Sequence, residues 1–183
     1  MELFHVGGSP IEPGRAIRPY ALKAELRDAL DLARRALDGD AGARSALLTA
    51  RGYLRHRFRS DPDMQMVLME TVFERVRAEL APDLPGRFES AFFWSTVELA
   101  RWFHGRYRPT GVIHRCIVTE GDPVALDSSF VVGGVDLAAR LDDAVAKVEE
   151  RARRYWTTDG PQQYPEVLVR GTVIVAEVLP ADE

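Results

Sequence analysis

One cysteine, Cys116, is the whole thiol content of this chain. That excludes an intramolecular disulfide and any cysteine-cluster zinc site. Its place in the apolar-flanked run Val112–Val118 reads as a buried small hydrophobe. Lysine is almost missing: of 24 basic residues only Lys23 and Lys147 are lysines. No apolar run is long enough to span a bilayer, and the opening residues do not read as a secretory signal. A reducing cytoplasm, with no membrane partner, is therefore expected. The glycine-rich dinucleotide fingerprint, the P-loop, H-E-x-x-H and G-x-S-x-G are all absent. His5, His56, His104 and His114 share no ligand spacing with each other or with Cys116, so no metal site is expected.

What is present is an ordinary globular composition. Hydrophobic residues make up 46% and charged ones 28%, which separates the chain from disordered sequences. A length of 183 residues fits one domain with a real core, and a net charge of −4 gives no global pull toward nucleic acid.

Three zones follow one another. Glu2–Val6 is strand-like and runs into the turn Gly7-Gly8-Ser9-Pro10, with a second turn at Glu12-Pro13-Gly14 and a short extended piece at Ile17. From Ala21 to about Ala81 the pattern is helical. Leu22, Leu26, Leu30, Ala33 and Leu37 mark a first helix, broken at Gly39-Asp40-Ala41-Gly42, and Ala46 to Phe58 a second. Ser60-Asp61-Pro62-Asp63 starts a third, with Met64, Val67, Leu68, Val72, Phe73, Val76 and Leu80 on one face. The last zone is mixed. Phe88–Trp94, Gly111–Thr119, Val124–Phe130, Glu166–Val169 and Thr172–Leu179 read as extended, Gly171 as a bulge or break. Ser95-Thr96-Val97-Glu98 reads as a capping box opening a helix through His104, and Val135–Trp156 as a long helix. No linker separates the zones, so one domain is expected, with the helical stretch as an insertion whose apolar surface could pair two chains.

Several residues invite a chemical reading beside a plain structural one. His5 ends an apolar strand before Gly7 and Gly8, where the backbone can turn sharply and a ligand can approach. Its imidazole suits a ribose hydroxyl, or is a satisfied strand histidine beside a tight turn. Glu166 heads Val167-Leu168-Val169: it could stabilise an oxocarbenium ion or bind a hydroxyl, or be a strand-end charge in solvent. Asp127 is a second carboxylate for the same cleft or a local turn aspartate. Phe92-Phe93-Trp94 could stack on a planar ring or fill the core. Arg15 and Arg18, just past the His5 turn, could clamp a pyrophosphate.

Together these pieces resemble a known pattern. Phe4-His5-Val6-Gly7-Gly8 with Glu12-Pro13-Gly14 looks like the opening of an uncharacterised bacterial domain family associated with the ADP-ribosyltransferase-like fold. Met69 to Arg77, Leu84 to Phe93, and Ala152, Tyr155-Trp156 with Pro165 to Val169 extend the likeness over the whole chain. His5-Val6-Gly7, Phe93-Trp94-Ser95 and Asp127 after Ile117-Val118 are similar to rifamycin ADP-ribosyltransferases. Glu166-Val167-Leu168-Val169 looks like the catalytic strand of DNA-targeting ADP-ribosyltransferase toxins. Two departures stand out: Phe93 occupies a position often held by tyrosine, and the helical zone is longer than in the rifamycin enzymes.

The resemblance implies an α+β, split, mostly antiparallel β core carrying a helical insertion over about residues 21–81. It implies NAD as co-substrate, without a metal, and an ADP-ribose acceptor that is a nucleic acid, a protein or a small molecule, as in a toxin or defence effector. His5, with Gly7, would grip the adenosine-side ribose and Phe93 would stack on nicotinamide. Ser95 would contact the other ribose or support its strand, and Arg15 and Arg18 would hold the pyrophosphate. Glu166 would be the catalytic carboxylate, with Asp127 orienting acceptor or ribose. A non-catalytic member of the same fold, binding a nucleotide or a protein, is the alternative.

Overall fold

The computed structural model describes residues 1–19, 24–48, 62–131, 135, 141–157 and 162–180. The chain divides into two compact units, a mixed one (Met1–Ala21, Asp83–Ser129, Asp159–Glu183) and a helical one (Leu22–Pro82, Phe130–Thr158). A second, later segment, Phe130–Thr158, groups with the helical stretch.

In the mixed unit, β1 (Glu2–Gly7), β2 (Ala16–Ile17), β3 (Ala91–Trp94), β4 (Val112–Val118), β5 (Val124–Asp127), β6 (Pro165–Val169) and β7 (Val173–Leu179) form one antiparallel sheet. Its order is β2-β7-β4-β1-β3-β6-β5. The resemblance implied two small sheets, whereas these strands are continuous. The joint in the middle is narrow, however. β1 pairs with β4 over six residues but with β3 only through Phe4 and Trp94. Both faces are apolar. Leu3, Phe93, Cys116, Val167, Val169, Val173 and Val175 fill one side. Phe4, Val6, Trp94 and Ile113 lie on the other, under α4 (Val97–Tyr107). Helix α4 starts one residue later than expected, because Thr96 is the cap and its hydroxyl accepts from Leu99 N at 3.3 Å.

The helical unit holds α1 (Ala24–Leu37), α2 (Ala41–Leu48), α3 (Pro62–Leu80) and α5 (Leu141–Thr157). Asp40 ends the break between the first two by capping Ala43 N at 2.9 Å, so α2 begins earlier than Ala46. Its expected continuation to Phe58, and the start signal Ser60-Asp61, lie outside the described residues. Pro62 occupies the first position of α3, where its missing N–H costs nothing. Val67, Leu68, Val72, Phe73 and Val76 are buried along α3, while Leu80 at its end is exposed. Helix α5 buries Ala144, Val145, Val148, Ala152, Tyr155 and Trp156, and Trp156 Nε1 donates to Phe73 O at 2.9 Å. Among the described residues no helix is long and apolar enough to cross a membrane.

Gly171 is the break between two strands, β6 and β7, rather than a bulge within one. It sits where two turns of the sheet meet, and an added Cβ would lie 2.2 Å from Glu120 O, a backbone atom that cannot swing aside. Gly8, by contrast, has nothing among the described residues within 4 Å of its added Cβ. Gly171→Ala should cost about 2–3 kcal/mol of unfolding free energy, and Gly8→Ala at most about 0.5 kcal/mol. Urea denaturation of the two variants checks this; equal losses would contradict the assigned turn contact.

Candidate functional site

Four sequence-distant segments, those carrying His5, Phe93, Glu166 and Asp127, become the neighbouring strands β1, β3, β6 and β5. One row of directly opposed residues crosses them: Phe4, Trp94, Glu166 and Leu126. Opposed residues in an antiparallel sheet point to the same side, and successive residues alternate. Glu166 therefore shares a face with Phe4 and Trp94. His5 and Phe93 lie one step along their strands and point to the opposite face, as does Asp127. The expected convergence of His5, Phe93 and Glu166 in one cleft is corrected accordingly. Their strands adjoin, but the side chains of His5 and Glu166 leave the sheet on different sides.

His5 sits at the narrow joint. An unbroken ladder would set Val6 opposite Phe92. Instead the His5 imidazole occupies that place, with Nδ1 3.0 Å from Phe92 O. A carbonyl only accepts, so Nδ1 carries the proton and Nε2 is left as an acceptor. The ring also lies 5.7 Å from that of Phe93 and 5.9 Å from that of His114, its direct partner on β4. His114 is fully buried and accepts the Ile11 N–H through Nε2 at 3.0 Å. Its Nδ1 then bears the proton, and has no hydrogen-bond partner among the described residues. Gly7 makes room for both rings: a Cβ there would lie 3.3 Å from His114 Cε1 and 3.4 Å from His5 Nε2. The glycine thus admits two imidazoles, where the sequence suggested a ligand.

Burial pushes the pKa of His5 down, helped by the charges of His114 and Arg108 and opposed by the Phe92 carbonyl. Burial also lowers that of His114, against the nearby carbonyls of His5 and Val112. Cys116 on the same face is pushed up to about 12 by burial, which makes it an unreactive thiol.

Glu166 is 7% exposed and forms an ion pair with Arg87 Nη1, itself 6% exposed. The Arg87 guanidinium lies 4.7 Å from the centre of the Phe92 ring. The strand-end charge is therefore an interior one. Asp127 behaves as a turn aspartate. Oδ1 accepts from Ser129 N at 2.9 Å and Tyr164 N at 3.3 Å, and Oδ2 from Gln163 N at 2.9 Å. Burial pushes its pKa up, but these N–H groups more than offset that and hold it below the ordinary aspartate value. Ser128 adds its Oγ and N–H to Tyr164 O, at 2.8 and 2.9 Å. The loop opening β6 is thus pinned two residues before Glu166. Tyr164 in turn stacks on Trp102 of α4, ring centroids 4.2 Å apart.

The remaining expected residues fall elsewhere. Phe93 is 1% exposed and belongs to the core, so its face is not open for stacking. Ser95 is half-buried in the bend before the Thr96 cap. Arg15 and Arg18 are exposed and flank β2 at the outer edge of the sheet. That edge is three strand spacings from β1, about 14 Å, too far for the expected pyrophosphate clamp beside His5. Sequence reasoning missed His114 and Arg87. Alternation along β4 placed His114 on the same side as Cys116 and was a usable signal. Arg87, in a short 3-10 turn (Arg87–Glu89), had none. Among the described residues no group of three or more His, Cys, Asp or Glu could hold a metal ion.

Two predictions follow the polar groups. Because the folded state keeps both histidines neutral, it should be fully stable above the unfolded histidine value near 6.5. Below that the unfolded chain binds protons the fold refuses, so stability should fall by up to about 1.4 kcal/mol per pH unit for each histidine, levelling off below the folded values. Urea midpoints from pH 7.5 to 5 should decline in the wild type and less steeply in His114→Gln; a flat wild-type profile contradicts this. Asp127→Ala, which strands three backbone donors, should cost about 1–3 kcal/mol by the same measurement, and a loss below about 0.5 kcal/mol would remove Asp127 from this role.

The model of a family described as "Protein of unknown function (DUF2441)" matches residues 51–181, a span that takes in β3 to β7 and α3 to α5. No curated protein matches the chain.

Proposed function

The chain belongs to the DUF2441 family, and we propose that it is an NAD-dependent ADP-ribosyltransferase, acting in the cytoplasm, with Glu166 as its catalytic carboxylate. One observation carries the reading: the segments singled out for His5, Phe93, Glu166 and Asp127 lie on four adjacent strands within one register step of a single row. The narrow β1–β3 joint, where the His5 imidazole replaces a ladder bond, supports it as the counterpart of a split core.

In this reading NAD lies on the Glu166 side of the joint, while His5, on the opposite face, holds the joint itself through Phe92 O. Glu166, from its own side of the sheet, holds the hydroxyl of the nicotinamide-side ribose and faces the positive charge as the glycosidic C–N bond breaks. The bonding pair leaves with nicotinamide, whose ring nitrogen becomes neutral, and the ribose carbon becomes an oxocarbenium ion. An acceptor oxygen or nitrogen then adds to that carbon and gives up its proton; with water the product is free ADP-ribose. Fixed charge and positioning supply most of the rate gain in such a dissociative step. Asp127 acts here as a positioning residue for the mouth of β6, and Phe93 as core.

A specific observation favours a second reading, nucleotide or partner binding without catalysis: Glu166 is buried against Arg87 and leaves the sheet on the side opposite His5. Nicotinamide release and NAD binding, measured by thermal shift, separate the two. For the enzyme, Glu166→Gln should lower release on the order of 100-fold while NAD affinity stays within about threefold. Wild-type protein that binds NAD and releases no nicotinamide, whatever the acceptor, would establish the second reading. Wild-type protein that does neither would defeat both for NAD.

A further inference from the structure

We infer that Arg87 is the positioning residue for Glu166, holding its carboxylate in one orientation inside the sheet; this rests on the reading of Glu166 as the catalytic carboxylate. Arg87 does not lie on the sheet itself. It comes from the 3-10 turn before β3, closed by Ser90 Oγ to Gly86 O at 2.8 Å and Ser90 N to Arg87 O at 3.4 Å. From there its side chain crosses the Phe92 ring at 4.7 Å and reaches Glu166. Phe92 stands opposite Leu168, two residues along β6 from Glu166 and on the same face. The guanidinium is thus fixed at its plane by an aromatic ring and at its tip by the carboxylate.

The chemistry explains why such an arrangement points to function. The Arg87 and Glu166 side chains are 6% and 10% exposed, so both charges have lost most of their water. The attraction between them only about repays that loss, and a well-packed apolar pair would hold the strands at least as well. By contrast, among the described residues Arg35 pairs with Asp40 and Arg153 with Glu79 at the surface. What the buried pair adds is a carboxylate held in one orientation in a low-dielectric setting. A developing oxocarbenium ion requires that preorganised negative charge. Because Arg87 offers several donors on a rigid plane, it can stay bound to Glu166 while the carboxylate also takes a ribose hydroxyl.

The test uses the full chain with Arg87→Gln and Arg87→Lys, each first shown to be folded by its thermal transition. Steady-state nicotinamide release from NAD gives kcat and KM separately. Arg87→Gln should lower kcat on the order of 100-fold with KM within about threefold. Arg87→Lys should recover only part of the wild-type rate, on the order of a tenth of it, since it restores the charge but not the planar fork. If Arg87→Gln does not fold, the Lys variant carries the test: an unchanged kcat overturns the inference. So does Arg87→Gln with wild-type kcat, or with a loss confined to KM, which would make Arg87 a substrate-binding group. Wild-type protein that releases no nicotinamide removes the reading of Glu166 first and this inference with it, an outcome distinct from an active wild type whose Arg87 variants are unaffected.

Discussion

A single ladder pair, Phe4 with Trp94, joins the two halves of the sheet, and the placement of every candidate group depends on it. It locks the row that continues through Glu166 and Leu126. Side chains alternate along a strand, so a slip of one residue at this joint would exchange the faces of His5 and Phe4 relative to Glu166. The buried neighbours on both sides resist that slip. Phe4 and Trp94 lie among the aromatic residues under α4, and Leu3 and Phe93 sit in the opposite core. Beyond the pair the ladder gives way to an imidazole, and that substitution makes the joint a place where the sheet can differ from an ordinary one.

The polar groups around this joint are handled in three different ways. Two histidines remain neutral, each with its tautomer set by a backbone group, Phe92 O for His5 and Ile11 N–H for His114. An aspartate is held ionised by three N–H groups and fixes a loop. A glutamate is held by a guanidinium from outside the sheet. Each solution suits its site. Backbone groups supply direction for groups that define structure, whereas the ion pair keeps a full charge in the interior. Only the last is expensive enough in lost hydration to ask what it is for.

Much of the secondary structure was legible because it rests on short-range rules. Pro62 at the head of α3, the 3.6-residue repeat through Val67, Val72 and Val76, and the alternating strands near both ends follow from local geometry. What was not legible is what depends on distant partners. The assignment of α5 to the helical unit needs its contacts with α3, such as Trp156 with Phe73 O, across more than eighty positions. The faces of His5 and Glu166 need the register between strands that are remote in sequence. The Phe92-Phe93-Trp94 run shows the same limit: composition marks it as important, but only pairing reveals that Phe93 faces the core and Phe92 the arginine. Ser95 against Thr96 as cap is a one-residue ambiguity that local pattern leaves open in any helix start.

The central claim is that the joint between β1 and β3 is where this fold receives a nucleotide. NMR titration of the isotope-labelled chain with NAD tests it most directly, because backbone amides report a site residue by residue and need no turnover. The account predicts saturable shifts clustered at His5, Gly7, Trp94 and Glu166, with α1 and α3 unmoved. Shifts confined to the helical unit, or no shifts at millimolar NAD, would contradict it.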